Sequence, residues 1–539
     1  MAITACGSSS RPSTSTPPPT TIAVVPAAAT VLRGGSQQFM ARVTGPSNTS
    51  VTWSLEPNVG TIDGTGLYTA PIDTDGTDVT VKATSNAVPA DSATSTVTLP
   101  HVTIAINPNA LAITPGSTHS FSASVDGLSS SHVNWTVQGT GGGTISSAGL
   151  YSAPSATGVH VVVATSSVNS NYSATATVVV TTTSVTFTPT GDLHDGRQFH
   201  SATLLPNGKV LVTGGGVYEG YCTAGSDSAE LYSPNLGSFA FTGTMTNRRY
   251  GQTSTLLQSG DVLITGGFTY DAPTCGELEP SPAVATAELY HTPGGSFAAT
   301  GSMAEVRGGH TATLLPSGKI LIAGGGTLGG YYVPFGGDGS TTAEIYDPGT
   351  AAFTSTGSMS TARMGHTATL LANGKVLIAG GVTSEDTTPV ATAELYDSLT
   401  GAFTATGNMA VGRAAHTATL LQNGKVLITG GIIDSNETAS NTAEIYDPAT
   451  GAFVETNSML SARRTHTATL LSDGTVLVVG GGTLIAEIYD ASAGSFSLSA
   501  LSEVDRSGHS ATLLSNGKVL VIGGPGSGLQ GSTTAELYP

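Results

Sequence analysis

The stretch Arg363 to Met409, RMGHTATLLANGKVLIAGGVTSEDTTPVATAELYDSLTGAFTATGNM, decides how this chain is read. It holds short β-type runs separated by turn residues. Its signature is His-Thr-Ala-Thr-Leu-Leu, then Asn-Gly-Lys, then an apolar run ending in Gly-Gly. The signature returns, with small variations, at His200, His310, His366, His416, His466 and His509, and Gln252 takes the histidine position once. Seven copies at a period of roughly fifty residues, each with four strands, predict a β-propeller.

The ends of the array are out of phase. Phe187 to Leu193 (FTPTGDL) matches the fourth-run pattern of Phe403 to Met409 before any first run has appeared, whereas Ala535-Glu536-Leu537-Tyr538 is a third run followed only by Pro539. The segment 184–193 is therefore expected to complete the seventh blade, so that joining the two ends removes exposed sheet edges. This assigns residues 184–539 to the propeller. Gly-Gly closes the second run in all seven copies, from Gly214-Gly215 to Gly523-Gly524, and on these motifs the array resembles the kelch-repeat β-propeller family over about 350 residues. Phe239, Phe297, Phe353, Phe403, Phe453 and Phe496 stand where kelch units often place Trp, which makes the chain an outlying relative.

Two similar units precede the array, seen when Val51 to Pro71 (VTWSLEPNVGTIDGTGLYTAP) is set against Val133 to Pro154 (VNWTVQGTGGGTISSAGLYSAP). Alternating segments such as Thr77 to Ala83 read as strands, and the shared Trp and Gly-Leu-Tyr-x-Ala-Pro motif resembles bacterial Ig-like domains of group 2. The expected boundaries are 21–100 and 101–183. The fold class is thus all-β: two Ig-like sandwiches and a seven-bladed kelch-type propeller. In the first unit Asp73, Asp75 and Asp78 surround a glycine and offer oxygen ligands suited to Ca²⁺. The loop lacks the bidentate Glu of an EF-hand pattern, so an acidic solvated turn is the preferred reading, and no other cofactor is expected.

Residues 1–20 are a Ser/Thr/Pro tether behind Ile3-Thr4-Ala5-Cys6. This resembles the lipobox of a bacterial lipoprotein, which implies lipid attachment at Cys6, although only five residues precede the cysteine. An ordinary disordered terminus is the alternative. No apolar run is long enough to span a bilayer. Charged residues make up 10% of the chain and the net charge is −18, which excludes a nucleic-acid partner, because phosphate binding rests on clustered Lys and Arg. An extracellular or cell-surface location follows, an outer-membrane lipoprotein being one form of it.

An Arg stands three residues before each histidine position, and a Glu sits in each Ala-Glu-[Leu/Ile]-Tyr. Equal numbers at fixed places suit pairing of each Arg with a Glu to tie the blades together better than an anion-binding ring. Six histidines at one repeat position likewise read as structural residues bonding backbone at the start of the inner strand, and the repeat tyrosines as packing residues between blades with locally satisfied hydroxyls. Function is expected where the blades differ, in the segments after Gly-Gly. The long connections of blades one to three, with the neighbouring Arg248 and Tyr250, give the candidate ligand-binding residues Tyr218, Tyr221, Arg248, Tyr250, Tyr270, Asp271, Tyr331, Tyr332, Phe335 and Asp338. Aromatic rings with nearby carboxylates suit an extracellular glycan or protein; packing within the long loops is the alternative. Cys222 and Cys275, in adjacent connections, are expected to form a disulfide in an exported protein, free thiols or a metal-binding pair being the alternatives.

Three functions remain open at this point: adhesion or ligand binding, a galactose-oxidase-like enzyme, and a structural or self-assembling surface protein. Galactose oxidase uses two His, two Tyr and a Tyr-Cys crosslink on copper. Beyond the repeat copies the propeller offers only His194 and His291, in different blades, so the ligand set is incomplete. The expectation is a binding protein that is not an enzyme.

Overall fold

The computed structural model describes residues 20–539 except 46, 74–76, 183–184, 220–221, 270–280, 330–335, 384–387, 503 and 526–530. Among the described residues every regular element is a β-strand. The chain divides into two compact units, Met1–Thr182 and Thr183–Pro539.

The first unit contains two sandwiches with one topology. In the first, the sheet runs in the order Ala28–Thr30, Ser92–Thr98, Val79–Ser85, Val51–Glu56, with a second layer made by Thr21–Val25 on Met40–Thr44 and by Ser36–Gln38, Leu67–Thr69 and Thr61–Ile62. The second repeats this with Ala110–Ile113, Ser173–Val180, Gly158–Ser166 and Val133–Gln138. Alternation sets the faces: along Val79–Ser85 the side chains of Val79, Val81 and Ala83 are buried while Lys82 is exposed. Trp53 packs on the core formed by Phe39, Tyr68 and these valines, and Trp135 packs on Phe121 and Tyr151 in the second sandwich. Asp73 and Asp78 are exposed; Asp75 lies outside the described residues. Among the described residues no three His, Cys, Asp or Glu gather to hold a metal ion.

The second unit is a ring of seven antiparallel blades. Blade four is typical, ordered Thr367–Leu370, Val376–Ala379, Ala393–Asp397, Ala402–Ala405. Each first strand abuts the first strands of both neighbouring blades, so the ring closes. Every second strand is buried along its length, as in Val376–Ala379 and Val426–Thr429. That explains why these runs are continuously apolar rather than alternating.

The Gly-Gly pair is where blades touch most closely. Gly380 has φ +68°, and a Cβ there would stand 2.3 Å from the Arg413 carbonyl oxygen of the next blade. Only glycine fits both the backbone angle and the gap. At the seam Thr188–Pro189 pairs antiparallel with Ala535–Tyr538 as the fourth strand of blade seven. Val185–Thr186 pairs parallel with the outer strand Ser495–Leu501 of blade six, which the repeat pattern did not foreshadow. One N-terminal segment thus closes two blades.

Candidate functional site

Each repeat charge has a partner inside its own blade, so, contrary to expectation, the Arg–Glu pairs do not tie one blade to the next. Arg363 Nη2 donates to Glu394 Oε1 at 3.1 Å, and Nη1 donates to the carbonyls of Gly380 at 2.7 Å and Thr392 at 2.8 Å. The Ser360 N–H donates to Glu394 Oε2 at 2.8 Å. The same guanidinium–carboxylate contact recurs in all seven blades at 2.5 to 3.1 Å. Each Arg is fully buried. The pair therefore staples the connection entering a blade to that blade's third strand, and none of these seven guanidiniums is exposed to an anion in the channel.

The repeat histidines tie neighbouring blades. Nε2 of His366 lies 3.0 Å from Thr311 Oγ1, that of His416 3.0 Å from Thr367 Oγ1, and that of His200 2.8 Å from Ser510 Oγ across the seam. In blade two Gln252 Nε2 donates to the Thr213 carbonyl at 2.7 Å. Burial first, then nearby arginine charge, pushes His200, His310 and His366 down to about 3, and His416, His466 and His509 are also held well below the usual range. All six are therefore neutral near pH 7. The repeat tyrosines bridge blades as well: Tyr396 Oη lies 2.9 Å from Thr356 Oγ1 and Tyr446 Oη 2.9 Å from Thr406 Oγ1.

The residue before each histidine position forms a closed ring around the channel. The Gly251 N–H donates to the Phe199 carbonyl, and the chain of bonds continues through Gly309, Gly365, Ala415, Thr465 and Gly508 back to Phe199, at 2.7 to 3.1 Å. All seven residues have positive φ, including the non-glycines Phe199 (52°), Ala415 (50°) and Thr465 (50°). Such angles are strained for residues with a Cβ and persist because the surrounding bonds over-determine them. A cavity of about 270 Å³ opens here, lined by Phe199, Gln252, His416, Thr465, His466 and His509 among others. Reading the sequence by repeat position missed this mouth. The signal was present in the Phe, Ala and Thr that replace glycine before the histidine.

The connections that the sequence singled out share this face. Bridges Ser226↔Arg249, Ser340↔Arg363 and Ser440↔Arg463 join the segment after Gly-Gly to the connection entering the next blade. Blade one extends that segment as a hairpin, Gly216–Glu219 on Cys222–Gly225, and blade three as Gly326–Gly329 on Gly336–Gly339. Ser281–Pro282 of blade two pairs with the blade-three hairpin, so the two connections are knitted together.

Arg248 and Asp338 are exposed on these segments, and Tyr218 lies on the backbone of the blade-one hairpin. Tyr250 is a correction: it is 2% exposed, and its ring packs 5.4 Å from that of Phe268, because the bridge Tyr250↔Phe268 turns it into the body of the blade. Tyr221, Tyr270, Asp271, Tyr331, Tyr332 and Phe335 lie outside the described residues, as do Cys275 and Cys6. Cys222 is placed by its backbone alone.

Comparison with known families and structures agrees with this architecture. A model of the bacterial Ig-like domain (group 2) matches residues 18–97, and a Kelch motif model matches residues 413–460. No curated protein matches the chain. Among solved structures, a fungal alcohol oxidase of the AA5 family in complex with copper aligns with TM-score 0.52 at 18% identity, covering 66% of this chain and 76% of that chain. At that identity the likeness is one of fold.

This likeness corrects the expectation that the chain is not an enzyme. A copper oxidase uses the same architecture, and an incomplete ligand pattern in the sequence is no ground for excluding catalysis. Copper itself does not fit the described residues. No cluster of three metal-binding side chains stands among them, and the repeat histidines engage hydroxyls or lie buried at Nδ1. No copper chemistry follows from those residues.

Proposed function

We propose that the protein is an extracellular recognition protein that binds a glycan or a protein across the propeller face carrying the long connections of blades one to three. The observation that carries this reading is the asymmetry of that face. Hairpins extend the connections of blades one and three, and the blade-three hairpin is paired with Ser281–Pro282 of blade two, whereas the corresponding segments of blades four and five carry the isolated bridges Val382↔Pro389 and Ile432↔Ala439. A rigid raised wall beside a shallow mouth loses little entropy when a ligand docks. A Cys222–Cys275 disulfide would stiffen the wall further, and a lipid on Cys6 would hold the chain at a bacterial surface; both belong to this proposal.

The test is a chain in which the connections of blades one to three are cut to the length of that in blade four. It is screened beside the unaltered protein against glycans and cell-surface proteins. Loss of binding with an unchanged melting temperature supports the site, and equal binding by both chains removes it. A second reading, an oxidase acting on alcohols, is favoured by the fold likeness. Stoichiometric copper in the purified chain together with alcohol oxidation is the outcome that selects it.

A further inference from the structure

Blade one departs from the others at a second place, on its rim. In blades one to six, Oε2 of the third-strand glutamate accepts a backbone N–H from the entering connection, donated in turn by His194, Thr246, Ala304, Ser360, Ala410 and Leu460. The fourth-strand residues paired with those glutamates are Phe241, Ala299, Ser355, Ala405, Glu455 and Leu498, and Pro189 takes the place in blade seven. These bonds fix the structural equivalence blade by blade. Among the described residues only blade one sets an imidazole and an aromatic ring at the two positions.

The two rings lie 4.7 Å apart at 35°. Phe241 is 55% exposed and the His194 side chain 48% exposed, so neither ring is there to fill a core. His194 Nδ1 stands 2.8 Å from Glu230 Oε2. Burial pushes the Glu230 carboxyl up, but hydrogen bonds from His194 and Arg197 outweigh it and hold the group below its usual range. An ionised carboxylate only accepts, so Nδ1 donates, which in the Nδ1–H tautomer leaves Nε2 as an acceptor. Beside it the Asp195 side chain, 40% exposed, accepts the Ser228 hydroxyl at Oδ2 at 2.5 Å and offers Oδ1 as a second acceptor. The patch therefore combines one apolar aromatic face with acceptors, and the cation beside it, Arg197 at 3.6 Å from Asp195, is buried. In a chain of net charge −18 this composition repels anions and suits a neutral ligand with C–H faces and hydroxyl donors.

We infer that Phe241 and His194 form a carbohydrate subsite on the rim of blade one, in which Phe241 stacks on the C–H face of a pyranose and His194 Nε2 accepts one of its hydroxyl protons. The inference rests on the recognition reading above and names the ligand class for this part of the face; it does not use the long connections.

The experiment uses the full chain and a panel of methyl pyranosides (gluco, galacto, manno and xylo), followed by saturation-transfer NMR. Phe241→Ala and His194→Ala introduce residues that blades two and three already carry at these positions (Ala299 and Ala304), so both variants are expected to fold, with melting temperature as the check. The expected result is saturation transfer to at least one pyranoside, abolished by Phe241→Ala and weakened about tenfold by His194→Ala, and retained when the connections of blades one to three are shortened. No transfer from the unaltered chain, or undiminished transfer in Phe241→Ala, overturns the subsite. If the shortened chain loses protein or glycan binding while Phe241→Ala does not, the recognition face stands and the subsite falls. If pyranosides bind the shortened chain but not Phe241→Ala, the subsite stands, and the wall of long connections falls only if the shortened chain also binds the screened glycans and proteins as the unaltered chain does.

Discussion

Blade one and blade four use one frame and finish it differently. Both carry the buried Arg–Glu staple, Arg197–Glu230 at 3.0 Å and Arg363–Glu394 at 3.1 Å, and both bond their repeat tyrosine to a threonine of the preceding blade. Blade four closes with a short connection and Ser360 and Ala405 at the rim; blade one raises a hairpin and shows His194 and Phe241 there. The shared parts are buried and hydrogen-bonded, so a change in any of them leaves an orphaned charge or hydroxyl. The differing parts face solvent, where substitution costs the fold little. In a repeat protein, then, recurrence marks what holds the ring and departure marks what the ring presents.

The comparison breaks most readily at the staple. Arg363→Ala and Arg197→Ala should each cost about 3 to 5 kcal/mol, because each leaves a buried carboxylate without its cation. Equilibrium denaturation measures both, and a cost confined to one blade would mean that the frames are not equivalent.

Acid is expected to act next, and on all blades together. Above about 6.5 the repeat histidines are neutral in both folded and unfolded chains, and stability does not depend on them. As pH falls from 6.5 towards about 3, the unfolded chain binds protons that the folded one refuses, so stability drops by up to about 1.4 kcal/mol per pH unit for each histidine. Glu230 and Glu288, held below their ordinary value of 4.5, add to the loss at lower pH. His366→Gln, which copies Gln252 of blade two, should make the profile shallower by about one proton. A profile that is flat between pH 6 and 4 would contradict the buried, neutral histidines.

The smallest effect is expected on the face opposite the mouth. Lys375 pairs with Asp397 at 3.3 Å, but both are partly exposed, so Lys375→Ala should leave the melting temperature within measurement scatter. In blade one Ser233 stands where blade four has Asp397, and Lys209→Ala should be just as silent. A clear loss at either lysine would show that this face carries more of the stability than its exposure indicates.

Much of this was legible before any coordinates. The spacing of His-Thr-Ala-Thr-Leu-Leu and Gly-Gly determined the number of blades, and the orphan run at Phe187 foreshadowed strand pairing across the seam, because a four-stranded sheet with three strands in place needs a fourth. Pairing of the recurrent Arg and Glu was also readable from their equal numbers at fixed places, but that each pair lies within one blade and not between blades was not, because the repeat does not show which strand an entering connection is bonded to. Tyr250 was misread because sequence neighbours do not reveal which side of a bridge a side chain takes. The mouth ring and the His194–Phe241 pair were missed for a related reason. Phe199 and Thr465 are two blades apart across the seam, and His194 meets Phe241 only when the entering connection is bonded to Glu230.

By itself, then, the sequence determined the β-strand repeat, the turns that only glycine makes and the charges that must pair, because these are local or periodic constraints. The tertiary structure alone decided which departures from the repeat come together, because closing the ring brings residues from distant blades to one axis and sets an entering loop over a fourth strand.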